Sequence, residues 1–210
     1  VMVAWHSTPP GYGKVGDPYL PDPLKAAIPN TDVWIELNNQ WLLYSTPWEE
    51  AMTPAALGKG RVRYLFLGGL NVDQMVRCIG KVNIEVQAEF QNTLVEMTRK
   101  ARKMRVVTPA GNDVSFENDP DRPVTNELFA DTPGPHFLLG QMGWAPIEET
   151  VNGVIVFDGS FSGGGEADLG ILREPIRLIV KNGEIKDIQG GAEALKVKKW
   201  LEKLGDPNMY

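Results

Sequence analysis

The sequence predicts an α/β protein in two parts: a partial parallel α/β domain over residues 1–104, then a β-rich α+β domain over residues 105–210. Three observations carry this. Up to about residue 104, strand-like apolar runs alternate with loops and helical periodicity, the pattern of a small parallel, Rossmann-like sheet. Beyond that point short β-branched runs dominate, separated by Gly, Asn, Asp and Pro. Within this second half Asn182-Gly183 stands between two apolar runs, the strongest short hairpin signal in the chain and suited to a type I′ turn.

Taken in order, Val1 to Trp5 read as a strand with no polar lead-in, as if the chain began inside a longer protein. His6 follows at its C-terminal end, where ligands bind in open α/β sheets, although a polar residue closing a strand is the simpler reading. The Pro- and Gly-rich stretch to Pro23 is loop, and Gly11-Tyr12-Gly13-Lys14 lacks the spacing of a phosphate loop. Leu24 to Ile28 reads as a short helix and Asp32 to Leu37 as a buried-type strand. The loop from Asn38 to Pro47 carries Trp41 and Tyr44, with Trp48 just beyond. Residues 47–57 read as a helix capped by Ser45 or Thr46, with Pro at its start. Arg61 to Leu67 is a strand and Val72 to Ile79 a helix. Val86, Phe90, Leu94, Met97, Ala101 and Met104 then recur at helical spacing, so a long helix presents them on one face. Cations from Arg99 to Arg105 complement its C-terminal dipole. Arg105 to Thr108, Val154 to Phe157, Ile176 to Val180 and Glu184 to Ile188 read as strands, and Ala192 to Leu204 as the closing helix.

Composition excludes several classes. The net charge is −6, so no broad basic surface for nucleic acid is expected. No apolar run approaches the ~18 residues of a membrane span. The single cysteine, Cys78, rules out an internal disulfide framework and fits a reducing, cytoplasmic setting; its helical context predicts a buried, inert thiol. No catalytic triad, His-Glu-x-x-His motif or cysteine cluster is present. The adjacent pairs Glu49-Glu50 and Glu148-Glu149 read as mostly solvated.

His136 stands apart. An imidazole titrates near neutrality and can take or give a proton. Here Pro133, Gly134, Pro135 and Phe137 hold it in a stiff, partly apolar setting. Gln141 and Trp144 follow, able to supply a hydrogen bond and a stacking surface. Ser162 to Gly165 would let a ligand approach the backbone closely, or form a mobile loop.

Several segments together resemble one superfamily. They are Val106-Val107-Thr108-Pro109-Ala110-Gly111-Asn112-Asp113, Ala130-Asp131-Thr132-Pro133-Gly134, Gly153 to Ser160, Pro175-Ile176-Arg177-Leu178, Asn182-Gly183-Glu184-Ile185, Gly190 to Ala194 and Asp206-Pro207-Asn208. In order and spacing they are similar to the 2,5-dihydroxypyridine 5,6-dioxygenases and the thermostable leucyl aminopeptidases of the aminopeptidase T type. The resemblance is strongest from about Asp32 to Tyr210.

The resemblance implies a metal-dependent enzyme. The first expectation is an iron(II) dioxygenase that opens a small hydroxylated aromatic ring such as a dihydroxypyridine. The alternatives are an aminopeptidase using zinc or cobalt ions, or a non-catalytic fragment with a binding or assembly role. His136 matches a substrate-side histidine of the dioxygenases that follows an Ala-Asp-x-Pro-Gly turn. Where those enzymes carry a second histidine after a Leu-Leu pair, this chain has Leu42-Leu43-Tyr44. Their pocket glutamate after Val-Thr falls on Asn126, and a shift of one residue would place it on Glu127 instead. Tyr44, Asn126 and Trp144 are thus the expected substrate contacts. The superfamily's metal ligands lie beyond the position matching Tyr210, so none is expected in this chain. A small-molecule substrate and a homo-oligomer complete the expectation.

Overall fold

The computed structural model describes residues 2–4, 11–137, 140–162 and 168–206. The elements in chain order are α1 (Asp22–Ala27), β1 (Val33–Glu36), α2 (Thr46–Ala56), β2 (Arg63–Phe66), α3 (Val72–Met75), α4 (Ile84–Lys100), β3 (Lys103–Val107), β4 (Asp113–Glu117), β5 (Thr125–Glu127), β6 (Gly134–His136), β7 (Gln141–Gly143), β8 (Asn152–Phe157), β9 (Ser160–Ser162), β10 (Asp168–Ile171), β11 (Ile176–Lys181), β12 (Glu184–Gln189) and α5 (Ala192–Leu204). They form two compact units. One is Val1–Val95 with Thr125–Gly143; the other is Glu96–Val124 with Trp144–Tyr210. The chain is of the α/β class, as the sequence predicts, with a parallel sheet and antiparallel sheets.

The first unit is built on a parallel sheet in the order β1-β2-β6. Laterally paired residues share a face, so Trp34, Tyr64 and Pro135 point one way and Ile35, Leu65 and His136 the other. The first face meets a core of Leu20, Ile28, Leu42, Leu43, Ala51, Met52, Val62 and Tyr64, with Trp41, Trp48, Phe66 and Phe137 packed around it. Helix α2 begins where expected: the Ser45 side chain accepts from the Trp48 backbone N–H at 3.3 Å. Strand β1 differs from the buried-type reading. Among the described residues it is an edge strand, and Val33 and Ile35 on its second face, with Leu37 just beyond it, are exposed. Met2–Ala4 form no strand, and the rest of that expectation, with His6, lies outside the described residues.

Two expectations around the long helix are corrected. Helix α4 ends at Lys100, and Met104 belongs to β3. There the chain is captured by antiparallel pairing of Lys103–Val107 with Asp113–Glu117, and the Asn118 N–H donates to Arg102 O. The buried stripe is also not the apolar one. Val86, Phe90 and Met97 are exposed, whereas Gln91, Val95 and Thr98 are buried. Both stripes have helical spacing; the buried one carries hydrogen-bonding groups that neighbouring backbone ends require. Cys78, expected to be buried, is exposed in the turn Val76–Gly80 that extends α3.

The second unit is an antiparallel five-stranded sheet in the order β12-β11-β8-β4-β3. The apolar run at Val154–Phe157 lies in β8, between β11 and β4. Asn182 and Gly183 have φ of 54° and 79°, both left-handed as a type I′ turn requires. Helix α5 buries Ala194, Val197 and Leu201 against Ile176, with Phe157, Phe161 and Trp200 alongside. It stops at Gly205, which takes φ 63° and donates to Leu201 O. No helix among the described residues is long and apolar enough to cross a membrane.

Candidate functional site

His136 sits at the C-terminal end of β6, level with Leu65 on the neighbouring strand. The Pro-Gly-Pro turn puts it there. Gly134 is buried, takes φ 134° that a side chain would resist, and donates its N–H to Val62 O at 2.9 Å. Phe137 then turns into the aromatic core against Phe66, so His136 points to the opposite face.

Two contacts define its chemistry. Nε2 lies 2.7 Å from Thr132 O. A carbonyl oxygen only accepts, so Nε2 carries the proton in the neutral ring, and Nδ1 holds the lone pair. Nδ1 in turn lies 3.9 Å from a Glu127 carboxylate oxygen. That is ion-pair range but longer than a hydrogen bond, which leaves both atoms with bonding capacity for a third group. The side chains are 13% and 21% exposed, so both are sheltered yet reachable. The arrangement can accept a proton at Nδ1 and stabilise the resulting imidazolium with a carboxylate.

Glu127 reaches this position because it closes β5, which pairs with β7 in a short antiparallel ribbon. Its neighbour Asn126 faces the other way. Asn126 Oδ1 accepts from Gln91 Nε2 at 2.7 Å, and its Nδ2 donates to Asn92 Oδ1 at 2.8 Å. The structure thus brings Glu127 to His136 and Asn126 to helix α4. Only the pleat of the ribbon distinguishes them, which is why sequence left both open.

Tyr44 precedes the cap of α2. It is 60% exposed and holds φ 65°, uncommon for a bulky residue. Its ring meets Trp48 edge-on at 5.1 Å. Trp144 belongs to the second unit, where it lines a small cavity of about 10 Å³ with Thr98, Asn118 and Arg122. Its indole nitrogen and Asn118 Oδ1 are buried without a hydrogen-bond partner among the described residues. The Gly-rich stretch at 163–165 lies outside the described residues. The adjacent glutamates do reach solvent, each through an ion pair: Glu49 with Lys14 at 2.9 Å and Glu148 with Arg122 at 2.8 Å.

A buried acidic pair was not anticipated. Glu36, 2% exposed at the C-terminal end of β1, accepts from the Leu42 N–H at 2.6 Å, from Asn38 at 3.3 Å and from the Tyr64 hydroxyl at 2.5 Å. Burial, then the Glu36 charge, push the Tyr64 phenol well above its ordinary range. This carboxylate fastens the aromatic loop between β1 and α2. The available signal was a lone glutamate in an otherwise apolar strand.

The family model described as 2,5-dihydroxypyridine 5,6-dioxygenase (NicX) matches residues 22–210. A curated 2,5-dihydroxypyridine 5,6-dioxygenase from Pseudomonas putida is 29% identical over 119 residues, 54% of this chain and 33% of that protein. The solved 2,5-dihydroxypyridine dioxygenase of Pseudomonas putida superposes with a TM-score of 0.57 at 21% identity, covering 87% of this chain and 49% of that one. AmpT from Thermus thermophilus gives a TM-score of 0.58 at 10% identity, covering 90% of this chain and 57% of that one. At these identities the two structures show a shared fold. The chain spans about a third of the curated relative and about half of the solved structures it matches. With residues 22–210 matched by the family model, this chain belongs to the 2,5-dihydroxypyridine 5,6-dioxygenase (NicX) family.

Proposed function

We propose that this chain forms the substrate-side part of an iron(II)-dependent, ring-cleaving dioxygenase acting on a small hydroxylated aromatic such as a dihydroxypyridine. The observation that carries the reading is the His136–Glu127 pair, with Nδ1 kept free by the Thr132 carbonyl, in a chain matched to this family. A ring hydroxyl of the substrate gives its proton to His136 Nδ1, and Glu127 offsets the imidazolium charge. Asn126 supports the ribbon from behind, so the family's pocket glutamate is assigned to Glu127. Tyr44 is retained as a proposed substrate contact; for Trp144, which belongs to the second unit, no part in this site is proposed.

The described residues contain no group of three or more His, Cys, Asp or Glu placed to hold a metal ion. They do not fit an iron site, and the ligands are proposed to lie outside this chain. The partner is a small molecule, and a homo-oligomer is part of the proposal.

The test uses the full-length protein with iron(II) and 2,5-dihydroxypyridine, read as oxygen uptake. A parallel arm uses leucine p-nitroanilide with cobalt or zinc, because the fold is shared with AmpT. Oxygen uptake that His136→Ala lowers by about 10²–10⁴-fold, with metal content unchanged, is the expected result. Hydrolysis of the anilide without oxygen uptake would replace this reading with the aminopeptidase. Silence in both arms would leave a binding or assembly role.

A further inference from the structure

We infer that Gln91 is a positioning residue that clamps both feet of the segment carrying His136, and so sets Glu127 against the imidazole. This rests on the proposed proton-transfer role of that pair. Gln91 is among the largest fully buried side chains in the chain, 2% exposed, on the inward face of α4. Its single Nε2 amino group serves three acceptors: Asn126 Oδ1 at 2.7 Å, Glu127 O at 2.9 Å and Gln141 O at 2.8 Å. Glu127 and Gln141 are opposite one another, the last pair of the β5–β7 ribbon. Between them the chain leaves the ribbon, supplies β6 with His136 to the parallel sheet, and returns.

The ribbon's ladder therefore ends where its two strands part, and Gln91 occupies that point. The amide orientation is forced. Turned over, its oxygen would meet three oxygens; as it stands, Oε1 is buried with no partner among the described residues. The amino group's two hydrogens are shared among three part-buried acceptors, two of them backbone carbonyls at the end of the ribbon. The nearest consequence is geometric. Holding Glu127 O fixes the residue whose carboxylate lies 3.9 Å from His136 Nδ1.

The experiment has three readings. In the wild-type chain the Gln91 side-chain amide protons should exchange with solvent at least ~100-fold more slowly than a free amide; free exchange would overturn the inference without any variant. In Gln91→Met, of similar volume but with no donor, backbone exchange over Leu128–Phe137 should quicken at least ~10-fold while α5 is unchanged. Unaltered exchange there would overturn it. In the full-length enzyme Gln91→Met should lower kcat about tenfold, with no further loss in a Glu127→Gln background. An unchanged kcat, or an equal loss in that background, would show that Gln91 does not act through Glu127. If Glu127→Gln alone leaves kcat intact, the proposed function falls instead, and the exchange measurements still decide the clamp.

Discussion

Replacing Tyr64 with Phe removes one oxygen from a fully buried ring and leaves its packing in place. The hydroxyl donates to Glu36, a carboxylate that is itself 2% exposed. A hydrogen bond to a charged group contributes about 1.5–3 kcal/mol, and the carboxylate would keep the Leu42 N–H and Asn38 as partners. The expected loss at pH 7 is therefore about 1.5–3 kcal/mol, or a fall of about 6–13 °C in the melting of the first unit. The pH dependence gives a second, independent handle. The Tyr64 pKa is raised in the folded state, so its contribution is fully present below the unfolded value near 10. As pH rises past that value the unfolded phenol ionises while the folded one stays protonated, and stability is lost. Wild type should thus lose its advantage over Tyr64→Phe by about 1.4 kcal/mol per pH unit above pH 10. Urea titrations of both proteins from pH 6 to 11 measure this. A difference below about 0.5 kcal/mol at pH 7, or one that stays flat through pH 11, would refute the buried pair as a stabilising feature.

Gly183→Ala should destabilise the second unit by about 2–3 kcal/mol, because φ is 79° and a Cβ would meet the Glu148 carbonyl oxygen at 2.4 Å; a shift in urea midpoint reads it, and Asn182→Gly should be tolerated. Cys78 is exposed, so native protein should react with a thiol reagent to one equivalent without denaturant; reaction only after unfolding would restore the buried reading. Asn126→Ala should shift stability more than turnover, since both ends of that side chain bond within the first unit.

Much of the fold is local in origin and was legible. Asn182-Gly183 demands its turn, Ser45 its cap, and Gly205 its left-handed stop, so the hairpin and helices α2 and α5 follow from neighbouring residues. The presence of both parallel and antiparallel pairing was also legible from the change in pattern, but not the return of Thr125–Gly143 to the first unit. What sequence could not show depends on distant partners. Strand β6 forms because Pro-Gly-Pro meets the Val62–Leu65 edge, and no local periodicity marks it. The ribbon of β5 and β7 is too short to leave a pattern. Helix α4 offered two stripes at the same spacing, and hydrogen-bond demand buried the one with Gln91 rather than the one with Phe90. His136 was picked out as a candidate by its stiff setting and by the resemblance. Its partner was not, because Asn126 and Glu127 exchange roles with a one-residue change of register.

The most direct measurement of the central claim is kcat/KM for ring cleavage by full-length Glu127→Gln and Asn126→Ala side by side. With His136 taking the proton and Glu127 stabilising it, Glu127→Gln should fall by about 10²-fold or more while Asn126→Ala stays within a few-fold of wild type. A silent Glu127→Gln beside a crippled Asn126→Ala would contradict the assignment of the carboxylate to this site.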